Sequence, residues 1–318
     1  MTENGRCRIC GNAKENKMYY VRERMINRGE IFSYMQCSSC GCLQLYENIK
    51  DMSRYYNDYI VFSDKKELPE NILYNFTNKI ISFFILSRKF HTRHNFRENS
   101  PLSCLECLEN TGINRNKSRI LDIGCGNGTW LQELHNMGFR NLNGVDKYAP
   151  QSSMRYHFLR GEIFDISKQK FDLITLHHSF EHMENPELVL KKIYELLEDD
   201  GTCIIRIPVM GCEAWKMYGQ YWYQIDAPRH YFLYTPKALN IICRKAGLRI
   251  CRVKYDSFWG QFYVSEMYKK TDKSFAEICK MHVSDTKMHR YQLMAQEANQ
   301  RRTGDQAIFI IKKARILI

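Results

Sequence analysis

The sequence predicts an α/β fold preceded by a small cysteine-clasped module. Three observations carry that prediction. Arg119 to Leu131 reads as a short apolar strand, a turn with Gly124, Gly126 and Gly128 at alternate positions, and the start of an amphipathic helix. Asn143-Gly144-Val145-Asp146 then reads as a second strand ending in a carboxylate. Near the N-terminus, Cys7-Arg8-Ile9-Cys10-Gly11 and Cys37-Ser38-Ser39-Cys40-Gly41 repeat one tight knuckle.

Composition sets the bounds. The chain has 318 residues, enough for about two domains, and 44% of them are hydrophobic with only 7 prolines. Its longest apolar run, near Ile80 to Leu86, falls far short of the ~20 residues a membrane span needs. The first residues hold no apolar signal-peptide core, so the expectation is a soluble cytoplasmic protein without a membrane span. The 13 cysteines are odd in number and scattered, unlike a secreted disulfide scaffold. A net charge of +12 suits an anionic partner, but it is spread along the chain and serves equally as a solvated basic surface.

Residues 1–48 are read as a zinc ribbon. In each C-x-x-C-G knuckle the glycine lets backbone N–H groups turn toward the thiolates. Cys7, Cys10, Cys37 and Cys40 thus supply four sulfurs for one tetrahedral Zn²⁺, a closed structural site. The segment between alternates as a hairpin turning near Asn27-Arg28-Gly29, and Cys42 is a spare that packs beside the site. Residues 49–116 form a helical connecting region. It holds a tyrosine cluster ending at Tyr59 that is a candidate pocket border, helical spacing from Asn71 to about Phe96, and a Cys104/Cys107 pair read as helix.

The glycine turn departs from the dinucleotide-binding Gly-x-Gly-x-x-Gly pattern, because Thr129 follows Gly128 and Asp122 stands two residues before the first glycine. Leu121 to Gly128 resembles the first motif of the class I S-adenosylmethionine-dependent methyltransferases, and Gly144-Val145-Asp146 resembles their second. The resemblance implies a Rossmann-like, seven-stranded methyltransferase sheet over residues 117–318. Asp122, with the turn Gly124, Cys125 and Gly126, would hold the methionine end of the cofactor. Asp146, followed by Lys147, would hold the ribose, and Glu162 and Ile163 at the third turn would face adenine. The cofactor carries a sulfonium cation and no phosphate, so carboxylates suit it.

Phe171 to Leu176 is a buried strand, followed by His177-His178-Ser179-Phe180-Glu181-His182-Met183-Glu184-Asn185-Pro186, similar to the family's segment after its fourth strand. Ligands of open α/β sheets sit outside the C-terminal strand ends, so His177 and His178 should face the sulfonium and the acceptor. The histidines and glutamates here lack a third defined metal ligand, so Glu181 and His182 are read as fixing the loop. A helix with Asn185 as N-cap and Pro186 in its first turn should stop at Asp200-Gly201, before a strand from Thr202 to Ile207.

Asp226-Ala227-Pro228-Arg229-His230, followed by Thr235-Pro236, resembles a branch of class I methyltransferases associated with surface-polysaccharide and deoxysugar biosynthesis, whose members often carry an N-terminal zinc ribbon. Aromatic faces at Trp222 and Tyr223, with Asp226 and Arg229 beside them, are candidates for holding a substrate; Arg229 suits a phosphate or carboxylate. Methyl transfer to a hydroxyl or an acidic carbon needs a base, for which His230 is the first candidate and His178 the second. The alternative is that Asp226 and Arg229 pair locally to pin a loop and His230 packs. A helix over Thr235–Gly247, a strand over Leu248–Lys254, pocket-lining residues between Asp256 and Glu266, a helical stretch over 272–300 and a reversed terminal strand over 304–313 complete the reading.

The resemblance implies methyl transfer to a small-molecule or glycan acceptor, a nucleotide-sugar or polysaccharide precursor first. Two alternatives stand beside it: a nucleic-acid methyltransferase using the ribbon and basic charge, and a non-catalytic cofactor-binding scaffold. The atom methylated and the oligomeric state do not follow from the sequence.

Overall fold

The computed structural model describes residues 5–56, 108, 111–148 and 156–314. The expected helix over 71–96, the Cys104/Cys107 pair and Tyr59 lie outside the described residues.

The N-terminal hairpin pairs β1 (Lys17–Arg22) with β2 (Ile31–Gln36) antiparallel, from Lys17 opposite Gln36 to Arg22 opposite Ile31. β3 (Leu43–Leu45) adds to β2. The chain then builds β4 (Arg119–Ile123), α1 (Thr129–Asn136), β5 (Asn141–Asp146), β6 (His157–Arg160), β7 (Phe171–His177), α2 (Pro186–Leu196) and β8 (Leu197–Pro208). Next come α3 (Glu213–Tyr218), β9 (Phe232–Leu233), α4 (Pro236–Lys245) and β10 (Leu248–Tyr255). The last elements are α5 (Gly260–Lys270), α6 (Phe275–Cys279), α7 (Asp285–Gln300) and β11 (Gln306–Lys313).

Seven strands form one sheet in the order β10-β11-β8-β7-β4-β5-β6. β4 to β8 are parallel, and β11 runs antiparallel to β8 and β10. This is the Rossmann-like methyltransferase sheet; the reversed strand expected for residues 304–313 is β11, which lies not at the edge but between β8 and the edge strand β10. Its central strands are apolar on both faces because helices cover both: Ile120, Leu121, Leu173, Ile174, Ile204 and Ile205 are all buried. The strand order reverses between β4 and β7, and in such sheets the crevice at that switch, beyond the C-terminal strand ends, takes the ligand.

Two boundaries differ from expectation. α2 ends at Leu196 rather than at Asp200-Gly201, because Leu197 turns extended and pairs with Phe171. The β7–β8 register then skips to Leu173 opposite Thr202, leaving the intervening acidic residues at the rim. The small sheet also reaches past residue 48. β9 pairs with β3, giving the order β1-β2-β3-β9, so a strand just beyond His230 completes the ribbon's sheet. One core accordingly joins Cys37, Cys40 and Cys42 to Ile174, Phe232 and Leu239, while a second packs Tyr34 and Leu43 against Trp222 and Phe262. Among the described residues, no helix is long and apolar enough to cross a membrane.

Candidate active site

At the switch point the turn after β4 opens onto a cavity of 470 Å³. Gly124 (φ +70°) and Gly128 (φ +78°) sit in the left-handed region, where a side chain is disfavoured. A Cβ at Gly124 would also come within 2.4 Å of the Ser179 Cβ, so the turn lies hard against the loop after β7. The Ser179 hydroxyl fastens that contact by donating to the Ile123 carbonyl at 2.7 Å. Gly124, Cys125, Gly126 and Asn127 line the cavity, as expected of the first three.

Asp146 ends β5 at the cavity edge. Its carboxylate accepts from the backbone N–H of Gly126 at 2.9 Å and of Tyr148 at 2.7 Å, tying the first turn to the second. Lys147 and Glu162 also line the cavity and pair with each other at 2.6 Å across its mouth, and Ile163 offers a buried apolar face beside them. Asp122 does not line the cavity. It is buried beneath the turn, where its Oδ1 accepts from the Thr175 hydroxyl at 2.7 Å. Burial pushes its carboxyl up to about 7, with the Thr175 hydroxyl opposing and nearby Asp146 adding to the rise. The expected direct contact of Asp122 with a ligand is therefore corrected to support of the turn from below.

The loop after β7 brings the histidines together. His177 ends the strand on the cavity wall, edge-on to Trp130 at 5.0 Å, and burial lowers its imidazole to about 3. His178 takes a left-handed conformation (φ +49°) that throws its ring into the cavity, 36% exposed. Its Nδ1 lies 3.4 Å from Oε1 of Glu181, whose side chain is 0% exposed. Burial alone would raise the Glu181 carboxyl, yet His178, His182 and His230 around it hold it below the usual range. His182 completes the wall. Its Nδ1 lies 3.0 Å from the Arg229 carbonyl and 3.1 Å from the Tyr56 hydroxyl, and burial lowers it to about 4.

His230 is buried and lies outside the cavity lining, behind His182 at 4.6 Å between ring centroids. Among the two base candidates, only His178 reaches the cavity. The proposed substrate contacts are corrected likewise. Trp222, Tyr223, Asp226 and Arg229 are buried away from the cavity. Trp222 donates its indole N–H to Asp305 at 3.2 Å, and the Tyr223 backbone N–H donates to Ser265 at 3.1 Å. Gln261 and Ser265, on α5, pack in this second region rather than at the cavity. The Arg229 guanidinium is closed between Asp226, Glu23 at 3.3 Å and the Tyr55 carbonyl at 3.0 Å. With all three guanidinium nitrogens engaged and no exposed surface, the side chain is closed to a substrate anion, so the loop-pinning alternative describes Asp226 and Arg229.

The cavity's aromatic wall comes instead from Tyr56, Tyr148 and Tyr231, with Tyr56 stacked on Tyr148 at 4.7 Å. Tyr56 belongs to the tyrosine cluster visible in sequence. Tyr148 and Tyr231 stand directly beside motif residues, but nothing in the sequence marks which way they point.

Cys7, Cys10, Cys37 and Cys40 form a second site under the ribbon. Their sulfurs lie within 4.8 Å of one another, with Cys7–Cys40 at 3.7 Å and Cys10–Cys37 at 3.5 Å. Sulfurs about 2.3 Å from a tetrahedral zinc stand roughly 3.8 Å apart, so the four thiols fit that ion. Each knuckle closes with the glycine N–H donating to a backbone carbonyl, Gly11 to Cys7 and Gly41 to Cys37, both at 2.9 Å, while the Cys40 N–H turns toward the Cys37 sulfur at 3.4 Å. Cys42 is buried beside them.

The profile of a family described as a methyltransferase domain matches residues 93–253, which cover the glycine turn, the Asp146 turn and the histidine loop. The chain belongs to that family. The family is that of the class I S-adenosylmethionine-dependent methyltransferases. A ubiquinone biosynthesis O-methyltransferase of Rickettsia typhi is 27% identical over 155 residues, covering 45% of this chain and 60% of the relative. One of Neisseria meningitidis serogroup C is 24% identical over 246 residues, covering 69% of this chain and 98% of the relative. The chain thus spans about three fifths of the Rickettsia relative's length. A solved methyltransferase from Archaeoglobus fulgidus aligns with TM-score 0.45 and 18% identity over 73% of this chain and 99% of that one.

The cavity residues of this methyltransferase fit its cofactor. The turn at Gly124 to Gly126 leaves backbone open to the cavity, Asp146 presents a carboxylate where a ribose would sit, and Ile163 gives an apolar face for a base.

Proposed function

We propose that this methyltransferase acts on a hydroxyl of a small ring-bearing acceptor, with His178 as the general base. The carrying observation is the convergence on one 470 Å³ cavity of the glycine turn, Asp146 and His178. Bound S-adenosylmethionine supplies an electrophilic methyl on a sulfonium, open to in-line displacement. The turn Gly124, Cys125 and Gly126 holds its methionine end, Asp146 its ribose, and Ile163 covers its adenine. Glu181 orients the His178 imidazolium and stabilises its charge as the proton leaves the acceptor. Tyr56, Tyr148 and Tyr231 supply ring faces for the acceptor.

Oxygen as the methylated atom is favoured by the relatives named O-methyltransferases. A sugar ring remains one acceptor of this class, carried only by the sequence resemblance and without support among those relatives. A zinc ion in the four-cysteine site has a structural role, since four thiolates leave no open position.

The test begins with calorimetric titration of S-adenosylhomocysteine into wild type and Asp146→Ala. Micromolar binding in wild type, weakened at least tenfold in the variant, is expected. Transfer of a labelled methyl to a panel of hydroxylated aromatic and sugar acceptors follows. Binding without transfer to any hydroxyl acceptor would replace this reading with the scaffold one.

A further inference from the structure

We propose that Glu181, His182 and His230 form a second metal site, distinct from the cysteine cluster, for a divalent first-row cation at the acceptor end of the cavity. One ring nitrogen of each histidine and a Glu181 carboxylate oxygen lie within 4.8 Å of one another. His230 Nε2 stands 3.9 Å from Glu181 Oε1 and 3.8 Å from Asp226 Oδ2.

Hydrogen bonding points the same way. The His230 Nδ1 lies 2.7 Å from the Gln224 carbonyl and the His182 Nδ1 lies 3.0 Å from the Arg229 carbonyl. A carbonyl can only accept, so in both rings Nδ1 carries the proton and Nε2 carries a lone pair. Backbone carbonyls that hold imidazoles in this tautomer are the usual outer support of metal-binding histidines. Glu181 is wholly buried; beyond the 3.4 Å ion pair with His178 Nδ1, its carboxylate oxygens make no hydrogen bond among the described residues. A buried carboxylate set against the His230 Nε2 lone pair is short of positive charge on that side, and a cation between them supplies it.

Two imidazoles and one carboxylate suit borderline cations such as Zn²⁺, Fe²⁺ or Co²⁺, and leave coordination positions open. His182 lines the cavity and Glu181 is the partner of His178. An ion here would bind the acceptor oxygen and lower its pKa beside His178. Only this last placement rests on the function proposed above; the binding of metal does not. Sequence spacing paired His178 with His182; the fold instead groups His182 with Glu181 and His230.

The test adds Co²⁺ to zinc-replete protein. Wild type should take up one equivalent with visible d–d bands and no near-ultraviolet thiolate charge transfer. His230→Gln and His182→Gln should each lose that uptake while still binding S-adenosylhomocysteine, which also reports that they fold. No uptake by wild type, or equal uptake by whichever variant binds S-adenosylhomocysteine, would overturn the site. Loss of S-adenosylhomocysteine binding by wild type would overturn the cofactor reading instead, leaving the cobalt result to stand by itself.

Discussion

Arg229 Nη2 and Glu23 Oε1 meet 3.3 Å apart, both side chains fully buried, across 206 residues of sequence. Glu23 also accepts from the backbone N–H of Ile26 at 2.9 Å and of Arg28 at 2.8 Å, so it shapes the ribbon hairpin while it holds the arginine. Arg229 in turn binds the Tyr55 carbonyl, one residue before the Tyr56 that lines the cavity. One guanidinium thus joins the ribbon, the connecting segment and the loop that carries His230.

Removing one partner from a buried ion pair leaves the other charged and stranded, at a cost of about 3–5 kcal/mol. Arg229→Ala should therefore lose stability of that order in denaturant unfolding. Arg229→Lys should not restore it, because an ammonium cannot reach three acceptors in one plane. A variant of wild-type stability with a raised acceptor KM would return Arg229 to the substrate.

Asp122 gives a pH prediction with a definite sign. Its folded carboxyl sits at about 7, above the unfolded value near 3.9, so the folded state holds the proton more tightly. Its contribution to stability is full below about pH 4 and is lost as pH rises through 7. Asp122→Asn keeps an oxygen for the Thr175 hydroxyl but has no charge to bury. Its melting temperature should exceed that of wild type at pH 8 and approach it at pH 4 to 5. A wild type more stable than the variant at pH 8 would show an ionised, well-partnered Asp122.

His182 works in the opposite direction. Its folded imidazole is lowered to about 4 by burial, so the unfolded chain takes up the proton first. Stability carried by the neutral ring should fall as pH drops from about 6.5 toward 4. His182→Gln should flatten that part of a stability–pH curve, read by urea unfolding at several pH values. An unchanged slope would assign the acid sensitivity elsewhere.

For the base, His178→Ala should lower kcat by about 10²–10⁴ and leave S-adenosylhomocysteine affinity near wild type, because the glycine turn is held by Ser179 and Asp146 rather than by this ring. Retained kcat would remove His178 from the chemistry.

The side of the cavity around the glycine turn was legible because its requirements are local. A glycine turn and a carboxylate at a strand end carry their geometry in a few consecutive residues, and Gly124, Gly126 and Asp146 all reach the cavity. The acceptor half depends on where distant loops meet. Nothing in Asp226 to His230 tells a substrate clamp from a buried strut; the difference is Glu23, a single glutamate in a hairpin with no motif around it. Asp122 misled for a related reason. Its motif position is local, but which face of β4 it takes is fixed by the pleat against Thr175 on β7.

A metal held by Cys7, Cys10, Cys37 and Cys40 should matter beyond the ribbon. The Thr235 hydroxyl donates to the Cys40 carbonyl at 2.6 Å and Lys245 donates to the Ile9 carbonyl at 2.8 Å, so both ends of α4 are tied to the knuckles. β3, which follows Cys40, pairs with β9 just after His230. Structural zinc contributes on the order of 10–16 kcal/mol of apparent binding free energy to small domains. Stripping the metal, or Cys37→Ser, should loosen β9 and the His230 loop and abolish methyl transfer. S-adenosylhomocysteine binding should survive more fully, since the turn after β4 is braced by Ser179 and Asp146 instead. Amide hydrogen exchange would show it: protection lost over 31–45 and 230–235, but retained over 119–126. Loss spread evenly over both stretches would mean that ribbon and sheet unfold as one unit.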